Sequence, residues 1–111
     1  MPTLEFKGKQ IEVDEDGYIQ NLAEWEPDLA VLMAEKDGIT LTEQHWEVIN
    51  FLRDYYQKYQ IAPMIKILVK EIAKAFGPDK GNTKYLYTLF PDGPAKQACR
   101  YAGLPKPTGC V

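Results

Sequence analysis

The longest helical pattern in the chain is Thr42-Glu-Gln-His-Trp-Glu-Val-Ile-Asn-Phe-Leu-Arg-Asp-Tyr-Tyr-Gln-Lys-Tyr59. Thr42 is a good N-cap, because its hydroxyl can accept a hydrogen bond from an unpaired N–H of the first helical turn. Behind this residue, large apolar side chains recur every three or four positions, which predicts a helix with one buried face. The members of that predicted face are Trp46, Ile49, Leu52, Tyr56 and Tyr59.

Helices are predicted on both sides of this stretch. Pro27 suits the first turn of a helix that runs to about residue 37, and Gly38 is its C-terminal stop. Pro63 opens another helix, which ends near residue 76 at Gly77-Pro78. This second helix and the 42–59 helix, joined by a tight break, have the order of a helix-turn-helix element. The predicted inward face of the 63–76 helix consists of Ile65, Leu68, Val69, Ile72 and Phe76.

The two ends of the chain have different patterns. Apolar and polar residues alternate over residues 4–13 around Lys7-Gly8, which predicts a small β-hairpin with Gly8 in the turn. Beyond residue 76, the sequence predicts a short helix over Thr83–Phe90 and a final helix over Pro94–Ala102. The predicted fold is therefore α+β and mostly α, a helical bundle with an N-terminal hairpin, a helix-turn-helix-like element and a flexible C-terminal arm.

Length and composition indicate one globular domain. The chain has 111 residues, of which 45% are hydrophobic and 26% charged, as is typical of soluble proteins. We expect the domain to span residues 1–102 and the arm to span residues 103–111. No apolar run approaches the length of a membrane span, and the first residues lack the regions of a signal peptide. We therefore expect a cytoplasmic protein with no membrane insertion.

Charge is distributed unevenly along the chain. Residues 1–57 carry four basic and thirteen acidic side chains, a balance of 4 − 13 = −9. Residues 58–111 carry nine basic and three acidic side chains, a balance of 9 − 3 = +6. The positive half includes the predicted arm, so it could attract an anionic ligand or an acidic partner surface. A chance asymmetry between solvated faces is the alternative.

The chain's two cysteines lie at its C-terminal end. Cys99 falls in the predicted final helix, and Cys110 is second from the end of a stretch that Pro105 and Pro107 keep from being helical. From Gly103 to Cys110 is 110 − 103 = 7 steps, so an extended arm would reach roughly 23 Å. The sequence thus predicts one thiol at the tip of a mobile arm and a second thiol near its root.

Several common cysteine chemistries do not fit these two residues. A zinc site needs about four clustered ligands, whereas the lone His45 is far upstream, so we expect no metal and no cofactor. A C-x-x-C pair is absent, and the position required for prenylation holds Thr108. Thiol–disulfide or persulfide chemistry remains. Accessibility favours Cys110 as the sulfur-carrying nucleophile, and Cys99 as the thiol that resolves it.

Two other features have a structural and a functional interpretation. His45 lies in the first turn of a core-bearing helix, where a lone histidine is usually a packed or capping residue. Lys66, Lys70 and Lys74 form a stripe on one helix face, which could meet the phosphates of DNA. The stripe lacks the side chains that read base edges, and the net charge is negative. A solvated face is favoured for these lysines, an acidic protein partner comes next and specific DNA binding ranks last.

The C-terminal stretch Leu89-Phe-Pro-Asp-Gly-Pro-Ala-Lys-Gln-Ala-Cys-Arg-Tyr-Ala-Gly-Leu-Pro-Lys-Pro-Thr-Gly-Cys-Val111 resembles the DsrC/TusE family of sulfur-relay proteins. The resemblance covers essentially the whole chain. TusE-type members, which serve tRNA thiolation, generally keep only the penultimate cysteine, so the presence of both cysteines makes this sequence more similar to DsrC. Upstream, the resemblance is carried by Asp16-Gly-Tyr, Trp25, Gly38-Ile-Thr-Leu-Thr42, His45-Trp46 and Pro63.

The resemblance implies a carrier that works with other enzymes. Cys110 would enter a channel of the siroheme dissimilatory sulfite reductase and bear the substrate sulfur. Cys99 would then join it through an intramolecular trisulfide, on which a membrane-bound oxidoreductase acts. In sulfur oxidisers, a DsrEFH-type sulfurtransferase complex would load Cys110 with persulfide. Arg100 and Lys106 match positions near the arm that would contact anionic sulfur or the reductase.

Other functions remain as alternatives at this point. One is a TusE-like relay for tRNA thiolation. Another is a DNA-binding regulator with a helix-turn-helix element and redox-sensing cysteines. A third is a purely structural subunit of a sulfite reductase. As a sulfur carrier, the protein is expected to act as a co-substrate of sulfurtransferase type and not as an independent catalyst. The sequence does not indicate whether sulfur flows toward oxidation or toward sulfite reduction.

Overall fold

The computed structural model describes residues 2–107 and has a two-stranded hairpin followed by five α-helices within that range. It confirms the predicted α+β fold, in which helix predominates. The strands are β1 (Thr3–Phe6) and β2 (Lys9–Glu12), and the helices are α1 (Pro27–Lys36), α2 (Glu43–Tyr59), α3 (Ile65–Phe76), α4 (Thr83–Leu89) and α5 (Pro94–Tyr101).

The N-terminal hairpin is antiparallel and has the predicted turn. Thr3 is paired with Glu12 at one end of the ladder, and Phe6 with Lys9 at the other. Lys7 and Gly8 both have positive φ values, 51° and 80°, as the two central residues of a tight hairpin turn of this kind require. Beyond β2, an isolated bridge joins Val13 to Ile19, which returns the chain toward the hairpin after the loop at residues 14–18.

The start of α2 is fixed by a histidine. Nδ1 of His45 accepts a hydrogen bond from the backbone N–H of Thr42, at 3.0 Å. Nε2 lies 2.9 Å from the carbonyl oxygen of Leu89, and because that oxygen can only accept, the ring is assigned as the neutral Nε2–H tautomer. The ring is buried and stands edge-on to Phe90. The capping interpretation of His45 is thus confirmed, and the residue also ties α2 to the end of α4.

Two residues predicted to be buried are on the surface. Tyr59 is 49% exposed and Phe76 is 40% exposed, so the predicted inward faces of α2 and α3 were wrong at these positions. Both residues are the last of their helices. The side chains pack against neighbouring aromatic rings there, Tyr59 on Tyr55 and Phe76 on Phe51, which leaves them outside the core.

Helix α5 is at the centre of the bundle. It packs against α1, α2, α3 and α4, although it is only eight residues long. Three small side chains, Ala95, Ala98 and Ala102, together with the buried Cys99, allow neighbouring helices to approach it closely. Its buried residues are Pro94, Ala95, Gln97, Ala98, Cys99 and Tyr101.

Candidate functional site

Cys99 is placed in the interior by α5. The residue has no exposed surface, and it belongs to the main cluster of buried apolar residues. Burial raises the pKa of the Cys99 thiol to about 12, because a thiolate would lose its hydration in this apolar setting. The thiol is therefore protonated and unreactive at neutral pH in this conformation.

The C-terminal end of α5 is held by two side chains from other parts of the chain. The indole N–H of Trp25 donates to the carbonyl oxygen of Tyr101 at 2.7 Å. Arg53 Nη1 donates to the carbonyl oxygen of Ala102 at 2.6 Å, and its guanidinium lies 3.7 Å from the centre of the Trp25 ring. These donors satisfy carbonyls that a helix end leaves unpaired, and the positive guanidinium suits the negative end of the helix dipole.

A carboxylate from the end of α1 holds the outer face of α5. Asp37 Oδ2 accepts a hydrogen bond from the Tyr101 hydroxyl at 2.6 Å and forms an ion pair with Arg100 at 2.5 Å. Partial burial opposes ionisation of Asp37, but the hydrogen bonds from Tyr101 and Arg100 outweigh it and lower the pKa of the carboxyl group. We call Trp25, Arg53 and Asp37 the clamp, because together they hold the last turn of α5.

The same network continues to the start of α5. Gln97 Nε2 donates to the Tyr101 hydroxyl at 2.9 Å, and Gln97 Oε1 accepts the backbone N–H of Asp92 at 2.9 Å. Gln97 is only 2% exposed, and its amide is satisfied at both ends, as a buried polar side chain requires. A continuous chain of hydrogen bonds therefore spans α5 from the turn before it to the clamp.

The root of the predicted arm is packed on the domain. We expected the arm to begin at Gly103, but Gly103, Leu104 and Pro107 are all buried. A Cβ atom at Gly103 would lie 2.3 Å from Cδ1 of Trp25, so only glycine fits there. The backbone N–H of Leu104 donates to the carbonyl oxygen of Cys99 at 3.0 Å. Residues 103–107 are thus part of the globular body in this structure.

Lys106 lies between two carboxylates of the loop that follows β2. Its ammonium group pairs closely with Asp16 and lies 3.7 Å from Asp14 Oδ2. Hydrogen bonding to Asp16 raises the pKa of Lys106. The ammonium is also 5.9 Å from the centre of the Tyr18 ring. Lys106 and Arg100, the two basic residues expected to contact anionic sulfur, are therefore each paired with a carboxylate here.

A cavity of about 370 Å³ lies beside these groups. Lys96 and Arg100 are four residues apart on one face of α5, and both line it. Pro107, the last described residue, is part of its wall, so the chain leaves the described structure at this cavity. The buried Cys99 is not among the described lining residues, which are Asp16, Tyr18, Asp92, Lys96, Gln97, Arg100, Lys106 and Pro107.

The other predicted features can now be located. Cys110 lies outside the described residues, as does Thr108. Lys66, Lys70 and Lys74 are exposed along α3, and Lys74 pairs with Glu71 at 3.4 Å. Their exposure fits a solvated face, and binding of DNA or an acidic partner there stays a prediction.

Among residues 2–107, no three or more histidine, cysteine, aspartate or glutamate side chains are grouped as metal ligands would be. No helix in the same range combines the length and apolar character that a membrane span requires.

Sequence reasoning missed most of the residues that hold α5. Asp37 was treated only as a helix end, and Arg53 was not considered. Trp25 was noted only for the family resemblance, and its hydrogen bond to the end of α5 has no sequence signal. These contacts join residues 49 to 76 positions apart, and a single sequence carries no direct trace of such pairs.

Known proteins share both the sequence and this geometry. Residues 5–111 match the family model described as DsrC like protein. The solution structure of Allochromatium vinosum DsrC is 61% identical, with a TM-score of 0.88, covering 98% of this chain and 97% of that one. The oxidized gamma-subunit of the dissimilatory sulfite reductase (DsrC) from Archaeoglobus fulgidus is 51% identical, with a TM-score of 0.85, covering 99% and 100%.

Relatives with a different name match over the same length. Sulfurtransferase TusE of Photorhabdus laumondii is 52% identical over 111 residues, which is the full length of both chains. Sulfurtransferase TusE of Escherichia coli strain K12 is 52% identical, covering 97% of this chain and 99% of its own. The match of the family model over nearly the entire chain, together with these relatives, identifies this protein as a member of the DsrC-like family of sulfur-relay proteins.

Proposed function

We propose that this protein is a cytoplasmic sulfur carrier for a siroheme dissimilatory sulfite reductase. Cys110 bears the sulfur, and Cys99 is the second thiol that resolves it. The observation that carries the proposal is the presence of both cysteines, one on the central helix and one beyond the arm root that leads away from it. The 61% identity to the DsrC of Allochromatium vinosum supports this choice, whereas the 51% identity to the DsrC of Archaeoglobus fulgidus is no higher than the 52% identity to the TusE relatives.

Loading on Cys110 needs no change in oxidation state overall. The Cys110 thiolate attacks the outer sulfur of a persulfide on a donor such as a DsrEFH-type complex. A new S–S bond forms on Cys110 while the S–S bond of the donor breaks, and the donor leaves as a thiolate that takes up a proton. The carrier then holds the sulfur as a persulfide.

Release of the sulfur uses the second thiol. The Cys99 thiolate attacks the Sγ atom of Cys110, forms the Cys99–Cys110 disulfide and expels the outer sulfur as hydrosulfide. The two cysteine sulfurs are oxidised and the expelled sulfur is reduced by the same two electrons. A membrane-bound oxidoreductase would return the disulfide to the dithiol with two electrons and two protons. The corresponding trisulfide would need four electrons and four protons, and its middle sulfur would leave as hydrogen sulfide.

The burial of Cys99 places a condition on this chemistry. A thiol with a pKa of about 12 and no exposed surface cannot attack before the local structure opens. The expected resting state is thus a carrier whose second thiol is protected until the arm root moves. In this scheme Lys106, which is paired with Asp16 at rest, is freed to contact the reductase or anionic sulfur when the arm root opens, while Arg100 stays paired with Asp37 beside the opened segment.

Intact-mass analysis after incubation with a persulfide donor tests the proposal. The wild-type chain should gain the mass of one sulfur atom, and Cys110→Ser should gain none. Cys99→Ser should be loaded at the wild-type level but form no intramolecular disulfide or trisulfide. Absence of sulfur on the wild-type chain, or equal loading of Cys110→Ser, would contradict the carrier role.

A TusE-type relay for tRNA thiolation is the second candidate, which the identity to full-length TusE relatives favours. Complementation of an Escherichia coli strain lacking TusE distinguishes the two. The sulfite reductase proposal expects little restored tRNA thiolation, together with reductase activity that depends on both thiols. Full restoration by the Cys99→Ser variant would favour the TusE-type relay, because that relay would then need only Cys110.

A further inference from the structure

The loop after β2 presents two carboxylates in fixed positions. Asp14 Oδ1 accepts hydrogen bonds from the backbone N–H groups of Asp16 and Tyr18, at 2.9 and 3.0 Å. Its other oxygen, Oδ2, is therefore directed to Lys106. Asp16 is on the rim of the same turn, and its carboxylate pairs with the Lys106 ammonium. Hydrogen bonding to Lys106 lowers the pKa of Asp16, so the Asp16 carboxylate is charged at neutral pH.

The loop is also fixed to the helix that carries Cys99. The Tyr18 hydroxyl donates to the carbonyl oxygen of Lys96 at 2.9 Å. A Cβ atom at Gly17 would lie 3.2 Å from Cδ of Arg100, which shows how closely the loop approaches α5. Burial raises the pKa of the Tyr18 phenol, so its hydroxyl stays protonated as the donor to Lys96. Tyr18 thus ties the loop to the helix that bears Cys99, and the Lys106 ammonium lies 5.9 Å from the centre of its ring.

From this arrangement we propose that Asp14 and Asp16 are positioning residues for the arm, and that their pairing with Lys106 keeps residues 104–107 packed against the end of α5, where the N–H of Leu104 donates to the Cys99 carbonyl oxygen. We call these three residues the latch. The inference deepens the proposed function and rests on it, because protection of Cys99 matters only if Cys99 is a reacting thiol. The latch acts through Lys106 and contacts neither the carried sulfur nor the reacting atoms.

The latch is suited to opening because it is exposed. The side chain of Lys106 is 54% exposed and that of Asp16 is 62% exposed. Pairs of this kind are weak and are screened by salt, in contrast to ion pairs inside a protein. A partner surface that offers its own carboxylates to Lys106 would compete with the loop. The structure therefore assigns the loop a specific part in deciding when the second thiol is uncovered.

Alkylation of Cys99 in a Cys110→Ser background tests the latch without any sulfur donor. Lys106→Gln and Asp16→Asn should each increase the rate of Cys99 alkylation by about two- to fivefold. Amide hydrogen exchange at Leu104, whose N–H donates to Cys99, should accelerate by a similar factor. Raising the salt concentration should accelerate alkylation in the parent and leave Lys106→Gln unaffected. Asp14 is left intact, because its carboxylate also holds the loop.

The controls separate a latch from a general loss of stability. Lys74→Gln removes the ion pair with Glu71 on α3, and Lys74 is about as exposed as Lys106. This variant should leave the rates of alkylation and of Leu104 exchange unchanged. The exchanged pair Asp16→Lys with Lys106→Asp should restore the slow alkylation of the parent. Unchanged alkylation and Leu104 exchange in both single variants would overturn the proposal. These readouts do not involve sulfur loading, so a failure of the carrier role would leave them unaffected.

Discussion

The clamp and the latch hold neighbouring parts of the same C-terminal segment in different ways. The clamp is largely shielded: Asp37 and Arg100 expose 23% and 20% of their side chains, and Trp25 and Arg53 hold two helix carbonyls. The latch consists of side chains that face solvent, apart from the partly buried Asp14. Only three residues lie between Ala102, which the clamp holds, and Lys106.

This difference indicates which part of the C-terminal segment can move. Shielded hydrogen bonds to charged groups stabilise a structure more than exposed ion pairs do, because water and salt compete less with them. We therefore expect α5 to stay in place when the segment after Gly103 moves. A carrier built in this way can expose its second thiol without unfolding the helix that bears it.

The largest expected effect concerns Cys99 in the closed state. A pKa of about 12 in place of 9 reduces the thiolate fraction at pH 7 about 10³-fold, because 12 − 9 = 3 units. In the Cys110→Ser background, native alkylation at pH 7 should therefore be at least about 10³-fold slower than alkylation in denaturant. The native rate should still rise with pH above 9, where that of the unfolded chain levels off. Equal rates in both states would show that the helix end is open most of the time.

The next largest effect is expected at Gly103, which packs against Trp25 of the clamp. Gly103→Ala should lower the free energy of unfolding by about 3 kcal/mol or more, since the new methyl group would overlap the Trp25 ring. Gly38→Ala is the matched control. Gly38 has nearly the same positive φ, 75° against 73°, but has nothing within 4 Å of a new Cβ. Gly38→Ala should lower the free energy of unfolding, measured by urea denaturation, by only about 1–2 kcal/mol, because alanine is strained at positive φ. Similar losses of unfolding free energy for both variants would show that overlap with the Trp25 ring adds no cost.

A smaller effect is expected at the carboxylate of the clamp. Asp37→Asn should lower the free energy of unfolding by about 1–2 kcal/mol near pH 7, because it replaces a charged acceptor of two hydrogen bonds. The folded pKa of Asp37 lies below its usual value of 3.8, so the stabilisation is complete above that value and is lost as pH falls through the folded pKa. The difference between the two proteins should therefore disappear in strong acid. A difference that is constant from pH 7 to pH 2 would contradict this assignment.

The smallest effect should come from the latch. Lys106→Gln should leave the urea midpoint of unfolding the same as that of the parent within experimental error, although it should accelerate amide hydrogen exchange at Leu104. Local opening of a segment can change without any change in global stability, because exchange there reports only the local equilibrium. A large drop in the midpoint would mean that the latch and the clamp form one cooperative unit, and the proposed division between them would fail.

The local features of the fold could be predicted because they depend on residues close in sequence. The Lys7-Gly8 turn, the N-cap at Thr42 and the ends of the helices follow from backbone preferences that act over a few residues. The exposure of Tyr59 and Phe76 could not be predicted in this way. A helical period shows which side chains share a face, but it does not show how far along the helix a neighbouring element covers that face. At the last turn of each helix, no further element covers the ring.

The candidate site was predictable in its residue types more than in its arrangement. The positions of Cys99 and Cys110 indicated thiol chemistry, but the burial of Cys99 depends on tertiary packing around α5 and on the segment that follows it. The arm root was expected to be free from Gly103 onward, whereas Leu104 and Pro107 are buried. The carboxylate partners of Lys106 and Arg100 come from distant loops, so their pairing depends on the tertiary structure.

The position of α5 has a consequence for biosynthesis. Every other helix packs against α5, yet α5 is the last of the described elements to leave the ribosome. Chains emerge at about 5–20 residues per second, so α1 to α4 spend seconds without their central partner. Apolar surfaces that α5 later covers are exposed during this interval. We therefore expect the nascent chain to complete its core only after translation has passed Tyr101.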